Sequence, residues 1–202
     1  MKIFNTKVYG IQETIIRSGY PMATEVQDFV DISAFDNVDL SDLEMFPGFE
    51  RITRLGGAKS GSGHDCALKG IIVQADIEAP QYFWQQWKRY HFQDIISSQS
   101  TMHRITNFDL IKQFSEDVDP RAIAILKEKI ENHNNNPTPE NFEKILANIP
   151  SGLLLVAGVN LNYLQIKTMY TQRYTHKIKM WNKIFAEWVN GLPYVKELGV
   201  LE

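Results

Sequence analysis

Three features of the sequence predict an α+β fold. The stretch "KGIIVQADIEA" alternates, with Ile71, Val73, Ala75 and Ile77 on one side and Gln74, Asp76 and Glu78 on the other, the pattern of a half-buried strand. In the second half, "DPRAIAILKEKIENHNNN" and "HKIKMWNKIFAEWV" carry apolar residues at helical spacing. An apolar strand followed by a helix occurs twice, around Pro80 and around Asn162. No repeat, low-complexity tract or linker interrupts the chain. Residues 1–202 are therefore expected to form one domain, with a helical segment at about 105–148 inside it.

The elements follow in order. "MKIFNTKVYGIQETIIRSGYPM" reads as a short strand and a helix, broken at Gly19 and Pro21. Val26 to Glu44 is acidic, and its carboxylate spacing matches no EF-hand loop, so it reads as solvated surface. "GFERITRLGG" is expected to be a strand, and "GGAKSGSGHD" a glycine-serine loop. Lys59-Ser60 lacks the preceding glycines of a phosphate-binding loop. After the alternating strand, Pro80 suits the first turn of a helix. On that helix Phe83, Trp87 and Tyr90 would face the core, while Tyr82, Gln86 and Arg89 share a neighbouring face. Ile123, Leu126 and Ile130 form the stripe of the next long helix. Thr138 is the expected N-cap of the following one, with Pro139 at its first position. "SGLLLVAGVNLNYLQIKTMYTQRY" is an apolar strand and then a helix carrying Lys167 and Arg173. Ile178, Trp181, Phe185 and Trp188 mark the closing amphipathic helix.

Composition excludes several classes of protein. The 202 residues are 44% hydrophobic and carry a formal net charge of −3, which lacks the basic face that nucleic acids or anionic membranes require. Cys66 is the only cysteine, so no internal disulfide forms and a reducing compartment fits. No stretch approaches the roughly 20 apolar residues of a membrane span, and the first residues lack the apolar core of a signal peptide. The expectation is a cytoplasmic protein with no nucleic-acid partner, no membrane and no metal.

Both strand-then-helix units present amide and guanidinium groups just past a strand. A guanidinium grips a phosphate or a uracil carbonyl in two places, and a carboxamide reads a base edge. Spacing alone favours reading Arg89 and Arg173 as surface arginines in ion pairs. Residues 64 to 89, with His64 before a strand and then "ADIEAPQYFWQQWKRYH", resemble the flavin-dependent thymidylate synthases, whose helix carries R-Q-W-x-R-H-R. "IPSGLLLVAGVNLNYLQIKTMYTQR" is similar to that family's leucine-proline, strand, "VNAR" and helix segment, with Pro150, Asn162 and Arg173 on family positions.

The resemblance implies that family's fold, a central mixed or antiparallel sheet packed with helices, in a homotetramer. It also implies dUMP as the nucleotide and FAD as cofactor, with methylenetetrahydrofolate and NADPH as co-substrates. Carried over by position, Gln86 and Arg89 match nucleotide contacts, Arg173 the arginine against the pyrimidine, and His64 and Asn162 positions near the flavin, where Tyr90 also falls. Ser97, Ser98 and Ser100, in "SSQST", offer hydroxyls and backbone N–H groups to a phosphate. His91 and His103 are candidate proton carriers, and Cys66 a minor candidate nucleophile. The expected site is thus Arg173 and His91 for catalysis, Gln86, Arg89, Ser97, Ser98, Ser100 and Arg173 for nucleotide, and His64, Tyr90 and Asn162 for cofactor.

The departures fall mostly on the flavin side. Tyr90-His91 follow Arg89 where the family has histidine and arginine, and "FQDIISSQSTMHR" matches the rest of its signature poorly. Lys69-Gly70 replace a glutamate-histidine pair, Leu164 the arginine of "VNAR", Leu146 an earlier arginine, and "THKIKMW" stands in place of A-Q-x-E-I-R. A divergent synthase-like enzyme is the main expectation. The alternatives are a nucleotide-binding or scaffold homologue that has lost FAD, or another nucleotide-modifying activity on the same fold.

Overall fold

The computed structural model describes residues 1–25, 43–44 and 48–201. The acidic stretch expected at the surface therefore lies, apart from its last two residues, outside the described residues. In chain order the strands and helices are β1 (Lys2–Tyr9), α1 (Ile11–Arg17), α2 (Phe49–Gly56), β2 (Ile72–Pro80), α3 (Gln81–Trp87), β3 (Asp94–Ser98), α4 (Thr101–Arg104), α5 (Pro120–Asn135), α6 (Pro139–Ala147), β4 (Leu154–Asn162), α7 (Tyr163–Arg173) and α8 (Ala186–Asn190). A 3₁₀ segment, His64–Gly70, precedes β2, and a π-helical stretch, Met180–Phe185, leads into α8. The strands make one antiparallel sheet in the order β1-β2-β4-β3. The α+β class holds. The chain divides into two compact units, and each strand contributes residues to both.

The first unit is Met1–Phe4, Asp76–Tyr90 and Ile95–Val159. Its core joins Ile105, Phe114, Leu126, Ile130, Ile145 and Leu153. Leu126 and Ile130 lie on α5, and Ile145 on α6, so the stripe on each helix meets the other across a short connection. Both helices start as their sequences dictate. Asp119 accepts the N–H of Arg121, Thr138 accepts that of Asn141, and each is followed by proline at the first helical position. Phe83, Trp84 and Trp87 of α3 form a second, aromatic cluster with ring centroids 5.6–5.9 Å apart. Tyr90 lies beyond the end of α3 and is half-buried rather than continuing this face.

The second unit is Asn5–Ala75, His91–Asp94 and Asn160–Glu202. Here "GFERITRLGG" is helical, not a strand. Phe49, Ile52 and Leu55 recur every three residues rather than alternating, and Ile52 is fully buried. The closing helix departs too. Trp181 and Phe185 are buried as expected, but Ile178 precedes the helix, and the turn carrying both aromatics is π-helical.

A buried ion pair organises this unit. The Lys167 ammonium on α7 is wholly buried and donates to the carbonyls of Gly56 and Ala58, 2.7 Å each, with Asp65 Oδ2 at 3.6 Å. The glycine-serine loop is thereby held at both ends, by its first carbonyls and by the carboxylate just beyond it. The loop root has no room for side chains. A Cβ on Gly56 would meet the carbonyl oxygen of Leu198, and Gly199, at φ +65°, lies against Gly57. Removing the cation alone leaves a buried carboxylate and two carbonyls without it. Lys167→Met should therefore lower the unfolding free energy by about 3–5 kcal/mol, and Lys167→Met with Asp65→Leu should recover part of that loss. Chemical denaturation checks both; a single-variant cost below ~1 kcal/mol would contradict this role.

Candidate functional site

In the first unit, Pro80 ends β2 and leaves its extended backbone to start α3. The Trp84 indole N–H donates to the carbonyls of Ala79 and Leu155, at 3.1 and 3.2 Å, and locks α3 to the strands. With Phe83, Trp84 and Trp87 facing inward, two polar rows remain. One is Tyr82, Gln86 and Arg89; the other is Gln81, Gln85 and Lys88, one residue over. Tyr82 is partly buried, and burial together with the nearby Asp117 carboxylate raises its phenol above the usual value. Gln86 is half-buried, and Arg89 is exposed in the turn after α3.

The end of β3 is fixed by one side chain. The Gln99 N–H donates to the Val156 carbonyl, and its Oε1 accepts the Val156 N–H, both at 2.9 Å, so the side chain extends the ladder with β4. Ser100 then caps α4, accepting the His103 N–H at 3.3 Å. Between this corner and α3 lies a groove of about 380 Å³. Gln81, Gln85 and Lys88 form one wall; Ser98, Gln99, Ser100 and Thr101 form the other, and Leu155 and Ala157 of β4 form the floor. Of the residues expected to contact nucleotide, Ser98 and Ser100 line it. Gln86, Arg89 and Ser97 do not. Thr101 closes the "SSQST" stretch already read as a phosphate cradle, whereas Gln81, Gln85 and Lys88 are not singled out by the sequence, although 81/85/88 has the same helical spacing as 82/86/89.

In the second unit, the remaining candidates are spread along the chain. His64 is exposed, its N–H donating to Ser62 Oγ at 3.4 Å, and Cys66 is an exposed free thiol. His91 is exposed next to Phe92, which takes a left-handed backbone at φ 60° while 83% exposed. Asn162 is the N-cap of α7, its Oδ1 accepting the Gln165 N–H at 2.9 Å. Tyr163 is buried, donates its hydroxyl to the Pro193 carbonyl at 2.6 Å, and burial pushes its phenol far above the usual range. At the other end of α7, the Arg173 guanidinium sits 4.8 Å from the Trp181 ring centroid, a cation–π contact supplied by the π-helical turn. Tyr170 and Tyr174 stack beside it on the chain at 5.7 Å and 13°. Among the described residues no three His, Cys, Asp or Glu side chains group to hold a metal, and no helix is long and apolar enough to cross a membrane.

The sheet order and its helices make this the fold of the flavin-dependent thymidylate synthases. A Helicobacter pylori flavin-dependent thymidylate synthase, ThyX, complexed with FAD and dUMP, matches with a TM-score of 0.68 over 100% of both chains, at 13% identity. A second ThyX structure from that organism, also with FAD and dUMP, matches with a TM-score of 0.67 at 13% identity, over 100% of this chain and 96% of the other. No family model matches the sequence, and neither does any curated protein.

The cationic end of α7 has a readable electrostatic signature. Partial burial, then the Arg173 guanidinium and the Lys177 ammonium, hold His176 below the ordinary imidazole value. Its folded-state value is depressed, so neutral His176 favours the fold above the unfolded value, and that contribution is lost as pH falls through the folded one. Arg173→Ala should move the His176 titration upward by NMR; an unmoved midpoint would show that the guanidinium does not face the ring.

Proposed function

We propose that this chain binds a pyrimidine deoxynucleotide of the dUMP class and, with FAD, transfers a one-carbon unit to C5, drawing on methylenetetrahydrofolate and NADPH as co-substrates. The observation that carries the proposal is Arg173, a guanidinium held at fixed height over Trp181, on a fold whose solved examples are complexed with FAD and dUMP. Such a guanidinium donates two parallel N–H groups to a uracil carbonyl and favours the electron-rich ring that C5 chemistry requires. His91, which is exposed, is proposed to carry the proton lost or gained at the ring. Gln86 and Arg89 are proposed contacts to the base and the ester, and Ser97, Ser98 and Ser100 to the phosphate. A homotetramer in the cytoplasm is the assembly and location this reading entails.

For the cofactor, the fit rests on donors. A flavin ring edge presents acceptors, and the Asn162 amide nitrogen, the His64 imidazole and the Tyr90 hydroxyl are donors of the right kind, even with Asn162 Oδ1 committed to its helix. FAD, when bound, supplies the hydride; the protein binds and orients. A second reading, a nucleotide-binding homologue without FAD, is favoured by Lys69, which is exposed, and Leu164, standing where the family resemblance expects glutamate and arginine.

Purified protein mixed with FAD and dUMP should keep visible flavin absorption through gel filtration, and Arg173→Ala should weaken dUMP about 10- to 100-fold. A colourless protein that still binds dUMP would support the second reading. Unchanged dUMP affinity in Arg173→Ala would overturn the role given to the arginine.

A further inference from the structure

We infer that the connected end of the α5–α6 hairpin is a binding site for a compact, hydroxylated organic dianion, a phosphate ester or a dicarboxylate, gripped between Lys129 of α5 and Lys144 of α6. The site lies within the first unit, shares no residue with the groove beside α3, and does not rest on the nucleotide reading.

A concavity of about 500 Å³ opens between the two helices there. Two ammonium groups, Lys129 and Lys144, and four carboxamides, Asn132, Asn135, Asn136 and Asn141, line it, with no carboxylate and no apolar side chain among them. Lys129, Asn132 and Asn136 fall at i, i+3 and i+7, a single row along α5 and its C-cap. The wall on α6 is set by its own hydrogen bonds. Asn141 donates from Nδ2 to the Asn136 carbonyl at 2.9 Å and accepts from Lys144 Nζ at 3.1 Å, which orients the ammonium and leaves it two N–H groups to donate. The Asn136 carbonyl also accepts the Thr138 N–H at 2.9 Å, so both its lone pairs are taken. Among the described residues the side chains of Asn132 and Asn135 make no hydrogen bond. Beneath the lysines the frame is packed, since Ile130 and Ile145, their neighbours in sequence, lie in the buried core.

This lining selects its ligand. A cation needs carboxylates or free carbonyls, and here it would meet two ammonium groups instead. An apolar ligand would find no apolar wall. A polyanion such as nucleic acid fits no better, because residues 119–148 carry five carboxylates against four cationic side chains and so present no basic face. A small anion remains. Two ammonium groups match two negative charges, and carboxamides, which both donate and accept, match hydroxyls on the carbon frame. The volume lies within the roughly 300–1,000 Å³ of small-molecule sites. The neighbouring carboxylates do not take the ligand's place. Glu128 pairs with Lys129 at 3.0 Å from outside the lining, an exposed contact that contributes little. Glu140 is committed to the start of α6, where its own backbone N–H and then Thr138 hold its carboxyl below the ordinary range, with Lys144 a smaller pull.

The test is calorimetric titration of the full chain with glycerol 3-phosphate, malate and inorganic phosphate, at one ionic strength held with sodium chloride. It compares wild type with Lys129→Met, Lys144→Met and Lys127→Met, the last a control on α5 outside the concavity, with circular dichroism as the check on folding. Lys144 is exposed, so its variant carries the test alone if the half-buried Lys129 proves necessary for folding. The expected result is saturable binding of glycerol 3-phosphate or malate, tighter than that of inorganic phosphate. Lys129→Met and Lys144→Met should each weaken it about tenfold, and Lys127→Met should leave it unchanged. Whichever ligand binds more tightly identifies the source of the dianion. Binding that ignores both Lys129 and Lys144 puts the ligand elsewhere and overturns the inference. Equal weakening in all three variants overturns it too, since that marks general charge attraction rather than a site. Inorganic phosphate bound as tightly as the other two would contradict the hydroxylated frame, and no saturable heat from any of the three would contradict the site itself.

Discussion

The second unit depends on a lysine that never reaches water. An ammonium wholly inside a protein is tolerated only when carbonyls and a carboxylate replace its hydration. Here Gly56, Ala58 and Asp65 do so, from segments more than a hundred residues away from Lys167 in sequence. The contact ties α7 to the root of the glycine-serine loop and to the 3₁₀ segment that feeds β2. Beside it, Gly56 and Gly199 let the loop root and the backbone at Leu198–Gly199 approach more closely than side chains would allow. A helix clamped at its middle holds both its ends. Asn162 stands at one end of α7 and Arg173 at the other.

A comparable economy governs the first unit. Two polar side chains, Trp84 and Gln99, use their hydrogen bonds on backbone rather than on a ligand. The strand ends and α3 become a rigid frame, and the groove donors are left uncommitted. Sites built this way keep ligand groups preorganised, because the frame and the contact residues are different residues.

Much of this was legible from the sequence, and the exceptions have physical causes. The alternation of β2, the cap at Thr138 and the stripe of α5 are local patterns, and each is realised. "GFERITRL" was misread because a short apolar run with β-branched and arginine residues is compatible with either period; the burial of Ile52 and Gly56 against tertiary neighbours decides for helix. The π-helical turn at Trp181 cannot be seen in a pattern that assumes 3.6 residues per turn throughout. Nothing in the sequence pattern marks Lys167 for burial, since lysines are almost never fully buried.

The candidate site residues show the same division. The family resemblance singles out Gln86 and Arg89 by position, while Gln81, Gln85 and Lys88, the adjacent row, line the groove. A rotation of one residue, about 100° around a helix, separates the two rows, and only the packing of Phe83, Trp84 and Trp87 fixes which row faces the groove. Asn162 was expected near a flavin and serves as an N-cap, a role its place between strand and helix also predicts.

The most direct test of the account is an NMR titration of isotopically labelled protein with dUMP in the absence of FAD. The account predicts saturable shifts of the Trp181 indole N–H beneath Arg173 and of the backbone amides around it in the last turn of α7. A spectrum in which none of these resonances moves would contradict it.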